Sequence, residues 1–260
     1  MRMSSVLGMG LGCLVLVGAG CGSSRTAPAD PASPAPAGTG SIIDTGRFAC
    51  AHPYFPVVRG YKVTYASRYA GATNTYSMEV TNTSRDAATF AIAFDNGIRS
   101  QQTYACADGG VRATGYVDFG GAMAGTGSAQ YETRAVRGVL LPENLRVGST
   151  WSTSFDVVMT INSLPSLPAG AAMGPIEGTV TINRQAIGQE QVTVGAGTFV
   201  AMKVRSETSM DMRPTDGGVT GFPVDMAPMV SHEWWVEGNG LVKTETADGI
   251  VSEAMEIVTP

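Results

Sequence analysis

Tyr76-Ser77-Met78-Glu79-Val80-Thr81, followed by Phe90-Ala91-Ile92-Ala93-Phe94 and Asp95-Asn96-Gly97, is the stretch that decides the fold. Large apolar side chains fall at every second position, which places them on one face of an extended strand. The Asp-Asn-Gly that follows tolerates positive φ, so the chain reverses there in a tight hairpin.

The same alternation recurs on both sides of this stretch. Tyr61, Val63 and Tyr65 precede it; Phe155, Val157, Met159 and Ile161 come later, then Val180 with Ile182, Met202 with Val204, and Met255 with Ile257. Asp108-Gly109-Gly110 and Asp248-Gly249 add turn signals. Gly120 to Gly127, Leu164 to Pro175 and Pro214 to Pro228 are all interrupted by Gly or Pro, so no run of helical length survives. The pattern predicts an all-β domain of about ten to thirteen antiparallel strands, as a sandwich, a barrel or a strongly curved sheet. Two segments also echo one another. Phe55-Pro56 leads to Gly60, Val63 and Tyr65, and Leu141-Pro142 leads to Gly148, Trp151 and Thr153, as two related halves would.

Upstream of residue 48 nothing suits a core. Gly22 to Arg47 is mostly Gly, Ser, Ala, Thr and Pro, with almost nothing to bury and with Pro28, Pro31, Pro34 and Pro36 favouring an extended spacer. At ~3.1 Å per residue such a tether reaches tens of ångströms. Before it, Arg2 and the apolar, small-residue run Val6 to Gly20 have the form of a secretory signal, too short to span a bilayer comfortably. Val17-Gly18-Ala19-Gly20-Cys21-Gly22 resembles the bacterial lipobox, although leucine is commoner where Gly18 stands. The expected division is a signal over 1–20, lipidated Cys21 with the tether over 21–47, and one domain over 48–260. The alternative at the N-terminus is ordinary cleavage leaving a free thiol. Buried acyl chains contribute about 0.8 kcal/mol per CH₂, so two or more anchor stably.

Without Arg2 the mature chain carries 16 basic against 22 acidic residues. No basic patch for phosphate neutralisation exists, which excludes nucleic acid as the expected partner. Adhesion to an anionic membrane would have to come from the lipid. Cys50 and Cys106 remain in the domain, an even pair that reads as a disulfide in an exported chain, with two buried thiols as the alternative.

Further residues carry a family resemblance: Cys50 with Tyr54-Phe55-Pro56 and Gly60, Tyr104-Ala105-Cys106 with Gly109, and Leu141-Pro142 with Gly148 and Trp151. Val192-Thr193-Val194-Gly195-Ala196-Gly197-Thr198-Phe199 and Trp234-Trp235 with Gly238-Asn239-Gly240-Leu241-Val242-Lys243 complete the set. Together they resemble a group of bacterial secreted or lipid-anchored β-proteins of unknown function. The resemblance runs from about residue 48 to 250, strongest in the C-terminal half, and implies an all-β fold with no catalytic residue.

With His52 and His232 as the domain's histidines, there is no His-Glu-x-x-His, Cys-x-x-Cys or Walker-type loop, no Gly-x-Ser-x-Gly elbow and no calcium loop. Glu233 and Glu237 share a strand face, which does not make a glycosidase pair. No cofactor and no metal set is called for. Met202, Met210, Met212, Met226 and Met229 cluster in sequence; they serve as core filler, as an apolar ligand wall or as thioether ligands for Cu(I). Trp234 and Trp235 are adjacent, so one faces the core and the other the outer face or a cleft. The expected function is a non-enzymatic, lipid-anchored envelope protein whose domain binds or scaffolds an envelope partner. The alternative is a carrier of an apolar ligand, walled by those methionines with Trp234 and Trp235.

Overall fold

The computed structural model describes residues 48–107, 109–117, 129–161, 175–215 and 228–260. Cys21, the signal, the tether, Asp108 and Met226 lie outside them. Among the described residues thirteen strands form one antiparallel sheet. They are β1 (Lys62–Tyr69), β2 (Ala72–Thr83), β3 (Ala87–Phe94), β4 (Arg99–Ala107), β5 (Gly110–Ala113), β6 (Ala129–Gly138) and β7 (Leu141–Pro142). The rest are β8 (Thr150–Ile161), β9 (Ile176–Val194), β10 (Gly197–Pro214), β11 (Met229–Val236), β12 (Gly240–Thr246) and β13 (Val251–Val258). Side by side the order is β6-β8-β9-β10-β11-β12-β13-β1-β2-β3-β4-β5-β7.

The two echoing segments fold alike. Gly60, at φ 87°, donates its N–H to Val80 O at 2.9 Å; Val80 N–H bonds Tyr61 O and Tyr61 N–H bonds Val58 O, each at 2.9 Å. Gly148, at φ 88°, donates to Ala186 O at 2.8 Å; Ala186 N–H bonds Ser149 O and Ser149 N–H bonds Arg146 O, each at 2.9 Å. The contacted strand bulges directly afterwards in both copies, skipping Thr81 in β2 and Ile187 in β9. Positive φ at each turn is what requires the glycine. β1–β4 and β8–β11 are therefore two copies of one four-strand meander.

Alternation holds through most of the sheet and inverts in β13. There the pairing runs from Thr64↔Glu256 to Tyr65↔Ala254, so Met255 has no partner and the bulge turns the strand over. Ser252 and Ala254 are buried, while Met255, expected inside with Ile257, is exposed and Ile257 half-buried.

β12 and β13 pair at three register positions, from Lys243↔Glu253 to Glu245↔Val251, and then part. Across the gap the Tyr61 and Tyr65 hydroxyls donate to Asn239 O and Leu241 O, each at 2.7 Å. Burial raises both phenol pKa values, which keeps the hydroxyls protonated as donors. The β9–β10 turn fills the β13 side, with Ala196 N–H on Ala254 O at 2.9 Å. The terminal strands of the order, β6 and β7, are successive in the chain. The link between them and the end of β6 are tied to β5, by Leu140 N–H to Val111 O at 2.7 Å and Arg112 Nε to Gly138 O at 3.0 Å.

The β1–β2 turn holds Ala70 at φ 48° before Gly71 at φ 84°, two left-handed residues in a row. Asparagine suits the first position and alanine does not. Ala70→Asn is expected to raise stability by roughly 0.5–1 kcal/mol in urea unfolding; a loss would contradict the turn geometry.

Candidate functional site

Three of the buried polar residues, Thr153 on β8, Arg184 on β9 and Glu233 on β11, form one network. Alternation along β9 places Arg184 in the same row as Val180 and Ala186, inside the sheet. Its Nε donates to Glu233 Oε1 and its Nη1 to Thr153 Oγ1, both at 3.2 Å. Trp235 Nε1 donates to Glu233 Oε2 at 2.9 Å, and the Thr153 hydroxyl passes its proton to Val139 O at 2.6 Å. The Arg184 and Glu233 side chains are 7% and 11% exposed, so this pair works without solvent screening. Both carboxylate oxygens are engaged, and among the described residues no buried side-chain nitrogen or oxygen lacks a partner. The arrangement fixes strands against one another and leaves no group poised to attack or to take a proton.

The adjacent tryptophans face opposite ways. Trp235 belongs to the inner network, opposite Met202. Trp234 is also buried, but lies between the Lys203 and Lys243 ammonium groups, 5.0 and 4.9 Å from its ring. Its Nε1 donates to Glu190 Oε1 at 2.7 Å. That bond, with Lys203 3.1 Å away, holds the Glu190 carboxyl below its ordinary pKa. Trp234 is thus packed and not offered to solvent.

Among the described methionines Met202 stands apart, whereas Met229 lies opposite Thr208, beside Met210. Met202, Met210 and Met212 share one face of β10, but eight to ten residues separate the first from the others, about 26–33 Å along a strand. Met202 and Met212 are buried, Met210 is half-buried, and Met229 is exposed. An open cleft of 410 Å³ lies over β8, β9 and β10, lined by Thr150, Trp151, Ser152, Asn183, Arg184, Gln185 and Arg205. Its lining is mainly polar, unlike the apolar wall expected of a carrier. Among the described residues no cluster of three or more His, Cys, Asp or Glu could hold a metal ion.

Cys50 and Cys106 form a disulfide with Cα atoms 5.4 Å apart, tying the segment before β1 to β4. In that segment His52 is buried; its Nε2 donates to Pro142 O at 2.9 Å and its Nδ1 accepts the Tyr54 N–H at 3.2 Å. The Arg184–Glu233 pair was not visible in the sequence, although Arg184 stands in a row with Val180, Ile182 and Ala186.

A family model described as DUF3108-like matches residues 98–250. No curated protein matches the chain. Two solved structures do. One is a protein of Bacteroides fragilis NCTC 9343 described as exported, with a YmcC-like fold; it is 15% identical with a TM-score of 0.51, over 80% of this chain and 100% of its own. The other, from Parabacteroides distasonis ATCC 8503 and described as a lipoprotein, has the same identity and TM-score, over 80% of this chain and 99% of its own. At that identity the likeness is one of fold.

Glu233→Gln is expected to cost about 3–5 kcal/mol in urea unfolding, because Arg184 would stay buried without a counter-charge. The double variant Arg184→Met with Glu233→Leu should recover most of it; equal losses in both would contradict the pair's role.

Burial lowers the His52 pKa, against the smaller raising effect of its bond to Pro142 O. The unfolded chain therefore binds a proton more readily than the folded one. The His52 contribution is full above the unfolded pKa of about 6.5 and is lost as pH falls through the lower folded value. Stability measured between pH 7 and 5 should fall in the parent and fall less in His52→Gln; parallel curves would contradict it.

Proposed function

This chain belongs to the DUF3108-like family, and from that premise we propose that it is a non-enzymatic, lipid-anchored envelope protein whose β domain scaffolds or binds an envelope partner. The observation that carries this reading is the closure of the buried polar groups upon one another: Arg184, Glu233, Thr153 and Trp235 use their hydrogen bonds internally. A nucleophile in a catalytic site needs a base within hydrogen-bond reach, and the residues lining the described cleft include no His, Cys, Asp, Glu or Lys.

The interior supports a scaffold in preference to a carrier. Phe55, Phe90 and Tyr104 pack with ring centroids 4.8 to 5.4 Å apart, and Tyr65 stacks on Tyr76 at 4.9 Å. These rings fill that part of the interior with one another. The ties between the β5–β7 and β6 ends support the further inference that the sheet curls toward a closed form.

Anchoring rests on Cys21 and the small residues before it. The Bacteroides fragilis and Parabacteroides distasonis proteins, described as exported and as a lipoprotein, are consistent company for such a location. The tether over 21–47 then sets the domain's reach from the lipid. In a bacterial host, palmitate label should enter the parent and not Cys21→Ser, and the variant should leave the membrane fraction. Equal labelling of both, or a parent without label, overturns the anchor.

A further inference from the structure

Residues 48–56 run across the ends of strands that lie far apart in the sheet order. Ala49 N–H bonds Arg85 O at 2.7 Å in the β2–β3 turn, and Cys50 is bonded to Cys106 of β4. His52 Nε2 donates to Pro142 O of β7 at 2.9 Å. Pro53 O accepts the Gly238 N–H of the β11–β12 turn at 2.7 Å. Phe55 then sits against Phe90 and Tyr104, at ring centroid distances of 5.4 and 4.8 Å. Pro56 lies on Gly240, where a Cβ would come within 3.2 Å of its ring.

These contacts join β4 and β7, near one end of the order, to the turn between β11 and β12 near its middle. The strands themselves make no ladder between those places. One of the ties is covalent, and Cys50 and Cys106 are both half-buried, within reach of a small thiol. The others are single hydrogen bonds, two aromatic contacts and the packing of Pro56 on Gly240.

We propose that residues 48–56 are a latch across one end of the sheet, locked by the Cys50–Cys106 disulfide and opened by a dithiol. The reaction is thiol–disulfide exchange. One thiolate of the dithiol attacks a sulfur of the bridge, the Cys50–Cys106 bond breaks, and a mixed disulfide forms. The second thiol closes onto it and releases the protein. The bridge gains two electrons and two protons and becomes two thiols; the dithiol becomes a disulfide. Phe55 then withdraws from Phe90 and Tyr104, which uncovers the inner face at that end. The freed residues add about 30 Å to the tether at full extension. That gain in reach rests on the anchoring proposed above, whereas the opening does not.

The test is amide hydrogen exchange on the full chain with and without dithiothreitol, with alkylation and mass to confirm that both thiols are free. Exchange at Tyr54 and Phe55, whose N–H groups bond His52 Nδ1 and His52 O, should rise at least tenfold. The β10 amides from Met202 to Ser206 should keep their protection. Cys50→Ala with Cys106→Ala should behave like the reduced protein. Unchanged protection at Tyr54 and Phe55 after full reduction overturns the latch. Loss of β10 protection along with them overturns it too, since the bridge would then be a staple for the whole fold. Palmitate labelling of the same preparation reads the anchor separately.

Discussion

A guanidinium inside a β-sheet must have its counter-charge in reach, and that requirement sets much of this fold. Arg184 meets Glu233 across the intervening strand β10, where buried Ser206 faces Arg184 in the ladder. A slip of one residue between neighbouring strands would turn one of the charges to the opposite face and strand the other inside. Charge burial of this kind adds little net stability but makes wrong registers expensive. Thr153 and Trp235 extend the constraint to β8 and along β11. Thr153 also holds Val139 O, in the short link between the two ends of the strand order.

Where the ladder fails, side chains replace it. The parting of β12 from β13 would leave the carbonyls of Asn239 and Leu241 without partners, and the Tyr61 and Tyr65 hydroxyls take them. Unpaired buried carbonyls are costly, so each joint in the sheet needs such a donor. The ends of the order are handled alike by Leu140 N–H and Arg112 Nε, and Trp151 Nε1 donates to Leu140 O at 2.8 Å. The sheet is thus a pair of repeated meanders sewn together by polar side chains at the places where strands diverge.

Much of this was legible in the residues. The alternation in β1, β2, β3, β8 and β10 gave strands with the expected faces, and Asp95-Asn96-Gly97 turns where expected, with Gly97 at φ 87°. The echo between Phe55-Pro56-to-Gly60 and Leu141-Pro142-to-Gly148 returned as matched backbone bonds. Met255 did not follow its pattern, because a bulge is set by the pairing of two strands and leaves no mark in either alone. The Arg184–Glu233 pair was hidden for a related reason. Each charge looks like an isolated exception to alternation until the partner strand is known. Met202 is near Met210 and Met212 in sequence but not in space, because β10 is extended between them.

For function, the consequence is a domain whose described buried polar groups are spent on holding strands together. On the reading proposed above, position matters more than chemistry: a lipid on Cys21 would fix where the β domain works. Native mass spectrometry of the protein extracted from its own membrane tests this most directly. The expected result is a polypeptide beginning at Cys21, carrying its acyl chains and one disulfide, with no small molecule held non-covalently. A stoichiometric apolar ligand retained by the domain would contradict it.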